Sequence, residues 1–162
     1  TYNNMNVSEE LKGQAIGLGL CQQWQSDWNN ADKDELLEKY VRGIDFCIEH
    51  NYPSLEYMTR NFDGVMQEHG VFVSEEISLY NPFMTIANGK CTGKVTFGKY
   101  GTGRMYIRHD SEIDLIVSGN AKVFVSVYDS AKLNIICTGE AKVYVYKKGG
   151  SVTFEGNVLV RE

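Results

Sequence analysis

The chain has 162 residues, of which 43% are hydrophobic and 23% charged, and its formal net charge is −5. This length and composition predict one domain, or two small modules that share a core, and exclude an intrinsically disordered chain. No apolar run approaches the roughly 18–20 residues of a membrane helix, and the first residues lack the pattern of a secretory signal. We therefore expect a cytoplasmic protein that does not enter a membrane.

The charge is divided unevenly along the chain. Residues 1–90 carry a net charge of −8 and residues 91–162 one of +3. An acidic half followed by a mildly basic half indicates two modules. The positive charge of the second half is too small and too dispersed to indicate nucleic-acid binding by itself.

The first module, residues 1–70, is predicted to be helical. Apolar residues recur at steps of three and four over 8–28, over 32–51 and from Ser54 to Gly70, which predicts three short helices. Tyr52-Pro53 separates the second helix from the third, because the residue before proline avoids the helical region.

Two features of this module have a functional alternative. Trp24 and Trp28 are four residues apart and form either a stacking platform for a sugar or base, or, as we expect, part of the core stripe. An acidic run opens the second helix, and we interpret it as a solvated first turn and not as a cation site. It consists of Asp32, Asp34, Glu35 and Glu38.

The four cysteines are far apart in the sequence. No CxxC pair is present, so neither a zinc knuckle nor a thioredoxin-type site is expected, and we predict no bound metal or cofactor. We expect buried thiols without disulfides, typical of a reducing compartment. The cysteines are Cys21, Cys47, Cys91 and Cys137.

The second module is a repeat. Residues 71–90 are transitional strands, and 91–150 divide into six blocks of ten in which Ala-Lys opens three successive blocks. Positions three, five and seven of the blocks are mostly apolar, which predicts strands with one buried face. Val152 and Phe154 resume this inward pattern after a one-residue slip.

Two architectures fit ten-residue blocks. Outward residues alternate in character from block to block, so the true period is about 20 residues, and we predict a short right-handed β-solenoid with two strands per coil over residues 91–162. The alternative is an antiparallel β-meander with short turns. The whole chain is thus expected to be an α+β protein.

Stacking at a period of 20 would gather one outward face of aromatic and cationic residues. This face is the candidate binding face. It would stack a sugar or a base or bind a protein, or it would be covered by the protein's own helical module or by a second copy. Its members are Arg104, Tyr106, Arg108, Phe124, Tyr128, Tyr144, Tyr146 and Lys148.

Signatures of catalysis are missing from the sequence. No HExxH, GxSxG or P-loop pattern occurs, and the glycine-rich segment 98–104 precedes no helix. Arg108-His109-Asp110 is the most reactive-looking cluster, and we interpret it as a solvated turn. The sequence therefore predicts a protein that is not an enzyme.

The repeat resembles the decapeptide β-solenoid repeats of hypothetical proteins from bacteria and their phages, through its Ala-Lys-Val-x-Val blocks and its Gly-Asn and Asp-Ser corners. With RGIDFCIEHNYPSLEYMTRNFDG at 42–64, most of the chain resembles a family of hypothetical proteins from gut Bacteroidetes and their prophages. The resemblance implies a solenoid fold, and a virion-associated location if the protein is phage-derived. It brings no active-site motif.

Three functions follow as expectations. The first is a non-enzymatic interaction or structural protein that forms a homo-oligomer or binds a protein partner through the solenoid. A short solenoid has exposed edges, and we expect its last segment, Asn157-Val158-Leu159-Val160, to pair with another chain. The second is a carbohydrate-binding module that uses the aromatic face. The third is nucleic-acid binding by the basic aromatic face, which the negative net charge disfavours.

Overall fold

The computed structural model describes residues 2–19 and 32–162 and divides the chain into two compact units, Thr1–His69 and Gly70–Glu162. The described part of the first unit is helical. The second unit is a parallel β-solenoid, so the protein belongs to the α+β class. Within the described residues, no helix has the length and apolar character needed to cross a membrane.

Capping residues mark the ends of the helices in the first unit. Asp32 caps the second helix with its Oδ1, which accepts from the N–H of Glu35 at 2.8 Å, and Ser54 caps the fourth in the same way. Asn51, in the left-handed conformation, ends the third. The described helices are α1 (Tyr2–Gly17), α2 (Lys33–Arg42), α3 (Ile44–His50) and α4 (Leu55–Phe62), followed by a 3-10 turn at Met66–His69.

The helical predictions differ from the structure in three ways. The first helix begins at Tyr2, not at residue 8, and the remainder of its predicted stripe, with Cys21, Trp24 and Trp28, lies outside the described residues. The predicted second helix is two helices, because the chain turns at Gly43. The predicted third helix stops at Phe62, and a separate 3-10 turn follows.

Eleven strands build the second unit in two parallel sheets, which excludes the meander. One sheet has the order β1-β3-β5-β7-β9-β11 and the other β10-β8-β6-β4-β2. The strands are β1 (Val71–Val73), β2 (Glu76–Tyr80), β3 (Met84–Asn88), β4 (Thr92–Phe97), β5 (Thr102–Ile107), β6 (Glu112–Val117), β7 (Lys122–Val127), β8 (Lys132–Cys137), β9 (Lys142–Lys147), β10 (Ser151–Glu155) and β11 (Val158–Arg161).

The register confirms the 20-residue coil. Thr92 pairs with Glu112 and Glu112 with Lys132, while Thr102 pairs with Lys122 in the other sheet. The slip at Gly149-Gly150 shortens the last coil by one residue, because Ser151, not residue 152, pairs with Lys132. In the segment 71–90, β2 and β3 pair with the repeat strands β4 and β5, and β1 pairs with β3, so all three belong to the same unit.

The core lies between the two sheets. Positions three, five and seven of the repeat blocks point into it, as predicted, and so does position one, which opens each block. Ala121, Ala131 and Ala141 are at most 1% exposed, so the Ala-Lys pairs place a small residue inside the corner and a lysine outside it. The buried thiols Cys91 and Cys137 lie in this core, and Cys47 is buried in the helical unit.

Corners stack as regularly as strands. The N–H of Ser130 donates to the carbonyl of His109 at 3.1 Å, and the N–H of Glu140 donates to Gly119 at 2.9 Å, each across one coil. The second residue of the corner adopts a positive φ, as in His109 and Asp129. Backbone hydrogen bonding is thereby maintained between coils at the corners.

Candidate interaction surfaces of the solenoid

Three side chains of the predicted binding face stack in a column on the outer side of the six-stranded sheet. Parallel register sets Phe124 between Arg104 and Tyr144. Arg104 Cζ lies 5.6 Å from the centroid of the Phe124 ring. The centroids of Phe124 and Tyr144 are 5.2 Å apart, with 15° between the ring planes. Both faces of Phe124 are therefore engaged within the column, and the ring turns its edge outward.

The other predicted members lie outside this column. Tyr106 and Tyr146 belong to the adjacent column of the sheet, where Tyr106 is 7% and Tyr146 52% exposed. Arg108, Tyr128 and Lys148 lie in corners, beyond the ends of their strands. Within the adjacent column, the exposed ring is thus the one in the later coil, Tyr146.

The cluster Arg108-His109-Asp110 forms a corner between β5 and β6. Arg108 is buried, and its Nη1 donates to Asn88 Oδ1 at 2.7 Å. His109 Nδ1 accepts from the N–H of Gly89 at 2.9 Å. Both side chains thus bind the corner one coil before them, which is a structural role.

His109 also links forward along the stack. Its N–H donates to Asp129 Oδ2 at 3.0 Å. Asp129 thus accepts from the backbone of the preceding corner, as His109 accepts from Gly89. Burial lowers the pKa of His109, and the charge of Arg108 lowers it further. A neutral imidazole is the form that accepts a hydrogen bond at Nδ1.

The glycine-rich segment 98–104 serves close packing and not phosphate binding. The N–H of Gly98 donates to Asn81 Oδ1 at 2.9 Å, and Asn81 Nδ2 returns a bond to the Gly98 carbonyl at 3.3 Å. A Cβ on Gly103 would stand 2.3 Å from the carbonyl oxygen of Pro82. The glycines let this coil approach the preceding corner.

The outer face of the five-stranded sheet carries polar ladders. Lys132 Nζ lies 3.6 Å from Glu112 Oε1, and Asn134 Nδ2 donates to Asp114 Oδ1 at 3.2 Å. Thr153 extends the second ladder by donating to Asn134. Two acids of this face, Glu112 and Asp114, thus have partners in the ladders.

Two members of the acidic run in the helical unit make local contacts. Asp32 caps α2, and Asp34 Oδ1 lies 2.8 Å from His69 Nε2. Among the described residues, no group of three or more His, Cys, Asp and Glu side chains has the arrangement of a metal site.

The C-terminal end of the coil stack contains the segment Asn157-Val158-Leu159-Val160, for which the sequence predicts pairing with another chain. Here β10 and β11 are the last strands of their sheets, and four side chains extend the core columns beyond the last complete coil. Phe154 aligns with the buried Ile135, yet it is 49% exposed, so its predicted inward position leaves it open to solvent. We call Val152, Phe154, Val158 and Val160 the open coil end.

A signal for this end was present in the sequence. The slip at Gly149-Gly150 changes the register step between β8 and β10 from 20 to 19 residues, and the segment after it opens with Ser-Val instead of Ala-Lys. The last residue of a core column packs against an apolar side chain on one side only. The exposed Leu159, paired with Tyr144, continues the aromatic column to the same end.

A scan against protein-family models finds no match, and comparisons with curated proteins and with solved structures find none either. The fold and surfaces define an α+β protein that carries a short parallel β-solenoid with an open coil end. The resemblance to a Bacteroidetes and prophage family stays a prediction.

Proposed function

We propose that the protein is a non-enzymatic interaction protein that assembles with a second copy of itself through the open coil end. The observation that carries the proposal is Phe154, a core-column residue that is 49% exposed. Covering the open coil end with apolar surface contributes about 25 cal/mol per Å² removed from water.

The terminal strands support this partner. Neither β10 nor β11 has a strand on its outer side among the described residues, so each presents backbone donors and acceptors along that edge. Proteins usually blunt such edges with lysine or proline, and neither strand contains one. A strand from another coil end satisfies both the backbone groups and the apolar columns.

A second copy matches the geometry because its coil has the same width and the same two terminal strands. A two-fold axis across the stack sets the terminal strands of one protomer antiparallel to those of its partner. Each copy then covers the other, and the assembly closes as a dimer instead of growing into a fibre. The terminal strands carry one acid and one base, Glu155 and Arg161, so charge repulsion across the pair is small.

The aromatic column favours a protein over a sugar as its own partner. Sugars stack on ring faces, and both faces of Phe124 are engaged by Arg104 and Tyr144. Leu159 brings this column to the open coil end, where it enlarges the apolar area for a partner.

Sedimentation equilibrium tests the proposal with variants at two residues that are equally exposed and belong to the same sheet. Phe154 on β10 and Ile136 on β8 are 49% and 48% exposed, but Ile136 lies on the outer face of the sheet, one strand in from the end. We expect a concentration-dependent dimer for the parent chain and Ile136→Lys, and a monomer for Phe154→Lys.

Val160→Lys is a second end variant, for use if Phe154→Lys does not retain the β-sheet circular dichroism of the parent. A parent chain that stays monomeric at all concentrations would overturn the proposal. So would loss of the dimer in Ile136→Lys to the same extent as in the end variants.

A further inference from the structure

Four corners stack along one side of the coil stack, and a strand of the six-stranded sheet follows each of them. The side chain of Asn81 binds both the N–H and the carbonyl of Gly98, one corner later. The N–H of Asn120 donates to the Lys99 carbonyl at 2.7 Å, again one corner apart. Exposed side chains of these corners and of the residues that follow them therefore lie along one edge of the solenoid. The corners are 81–83, 98–101, 118–121 and 138–141.

Two aromatic rings of this edge are open to solvent. Phe83 is 84% and Tyr100 is 81% exposed, and they belong to consecutive corners. Neither ring stacks on an aromatic or cationic side chain in the described part of the chain. Phe124, by contrast, has both faces engaged. Phe83 and Tyr100 thus offer open ring faces on which a ligand can stack.

Three lysines lie at the same edge. Lys99 precedes Tyr100 in its corner, and Lys122 and Lys142 are the first residues of β7 and β9. All three are exposed, and none forms an ion pair among the residues that the structure describes. Lys122 and Lys142 are direct partners in the parallel register, so their like charges repel each other.

The same block position of the five-stranded sheet carries opposite charges. There Glu112 and Lys132 are register partners, and Lys132 Nζ lies 3.6 Å from Glu112 Oε1. Lys122 and Lys142 do not protect a sheet edge either, because β7 and β9 have a strand on each side. Glu140 is the one acid of the four corners, so this edge keeps an excess of cations. An anionic ligand supplies the partner that the lysine pair lacks.

We propose that this lysine–aromatic edge, formed by Phe83, Lys99, Tyr100, Lys122 and Lys142, binds a polysaccharide that contains uronate sugars. The apolar C–H face of a sugar ring stacks on an open aromatic ring, and the uronate carboxylates pair with the lysines. The edge lies along the side of the coil stack, whereas the open coil end lies at its last strands. The proposal therefore does not rest on the assembly of two copies.

The composition of the edge favours a sugar polymer over a nucleic acid. Exposed hydroxyl and amide groups of Thr102, Asn120 and Thr138 accompany the lysines and can pair with the many hydroxyl groups of a sugar chain. No arginine, the residue best suited to phosphate, occurs in the four corners. Arg104, which follows the second corner, lies against the Phe124 ring. The polar groups of this edge thus suit hydroxyl groups and carboxylates.

Isothermal titration calorimetry with hexamers of polygalacturonate, alginate and hyaluronan tests the ligand class. At least one of them should bind the parent chain, and more tightly than maltohexaose, which is neutral, or hexathymidylate, which carries phosphates. The affinity should fall as salt is raised from about 50 to 200 mM, because ion pairs at an exposed surface are screened. Absence of binding to all three uronate hexamers would overturn the proposal, and so would tighter binding of maltohexaose or hexathymidylate.

The lysines of the two sheets provide matched double variants of equal net charge. Lys122→Gln with Lys142→Gln should weaken binding of the uronate hexamer by at least about fivefold, because two ionic contacts are lost. Lys94→Gln with Lys132→Gln should leave the affinity within about twofold, because these exposed lysines belong to the other sheet. Equal losses in the two double variants would contradict binding at this edge.

Tyr100 tests the stacking contact. Tyr100→Ala should weaken binding by about fivefold, and Tyr100→Phe should keep most of the affinity because the ring remains. Tyr146→Ala removes an exposed ring near the far end of β9 in the same sheet and should leave the affinity unchanged. The substituted residues are all exposed, so each variant should keep the β-sheet circular dichroism of the parent. Unchanged affinity in Tyr100→Ala, or an equal loss in Tyr146→Ala, would overturn the proposal.

Discussion

Phe154 and Ile135 are partners in the ladder between β10 and β8, but Ile135 is 2% exposed and Phe154 is 49% exposed. The two side chains occupy the same core column, one coil apart. The register is unchanged, so the difference in exposure comes from the outer side of β10, where the described residues place no further strand. An apolar column that ends in solvent is the feature on which the proposed assembly rests.

A conformational requirement at Gly93 leads to the first prediction. Gly93 lies in β4 with φ +137°, and a Cβ there would stand 1.9 Å from the carbonyl oxygen of Ile77. Gly93→Ala should destabilise the solenoid by at least about 3 kcal/mol in urea unfolding, because the backbone must move. Gly13→Ala in α1, where no atom lies within 4 Å of the new Cβ, should leave the solenoid transition unchanged.

The small corner residue leads to the second prediction. Ala131 is fully buried and the neighbouring Ser130 is exposed. Ala131→Leu should lower the free energy of unfolding by about 1–3 kcal/mol, because the packed corner has no room for the larger side chain. Ser130→Leu should change it by less than about 0.5 kcal/mol. Equal effects in the two variants would show that position one of the block does not belong to the core.

The third prediction concerns acid stability. The pKa of His109 is lowered in the folded chain from its ordinary 6.5. Between the folded and the ordinary pKa, the unfolded chain binds more protons, so stability rises with pH through this window. On acidification, the contribution of His109 is lost as the pH falls below about 6.5 and towards the lowered folded pKa.

His109→Asn isolates this effect. Asparagine keeps an acceptor for the Gly89 N–H and tolerates the positive φ, but it does not titrate. Urea midpoints measured from pH 7.5 to 5 should fall less steeply in the variant than in the parent chain. Parallel pH profiles would exclude a role for His109 in acid sensitivity.

The aromatic column leads to the fourth prediction. A double-mutant cycle with Phe124→Ala and Tyr144→Ala should give a coupling energy of about 0.5–1.5 kcal/mol in favour of the stacked pair. The in-register aliphatic pair Ile116 and Ile136 provides the control cycle and should couple more weakly. A coupling energy near zero for the aromatic pair would contradict the stacked geometry.

The repeat could be predicted from sequence because its physics is local and periodic. The alternation of Val123, Val125 and Val127 indicates which face of the strand points inward. The Ala-Lys pairs that open successive blocks indicate that these blocks are structurally equivalent. Parallel pairing at 20 residues then follows from the alternation of outward residues. Each coil shows the same pattern, so one irregular position does not change the predicted fold.

The departures from prediction come from single events. The chain turns at Gly43 and divides one continuous apolar stripe into two helices. The spacing of the apolar residues does not reveal this turn, because the stripe continues in phase on both sides of it. Arg108 reads as an outward cation, but it lies in a corner and binds Asn88. Exposure of Phe154 depends on the absence of a neighbour, which a pattern within one strand does not reveal.

Hydrogen–deuterium exchange of the terminal strands, followed as the protein concentration is raised, tests the proposed assembly most directly. Pairing with a second copy gives partners to the outward N–H groups of β10 and β11, so exchange in peptides covering 151–161 should slow with concentration. Exchange of β6 should not change, because it already has a strand on each side. Concentration-independent exchange of the terminal strands would contradict self-assembly through the open coil end.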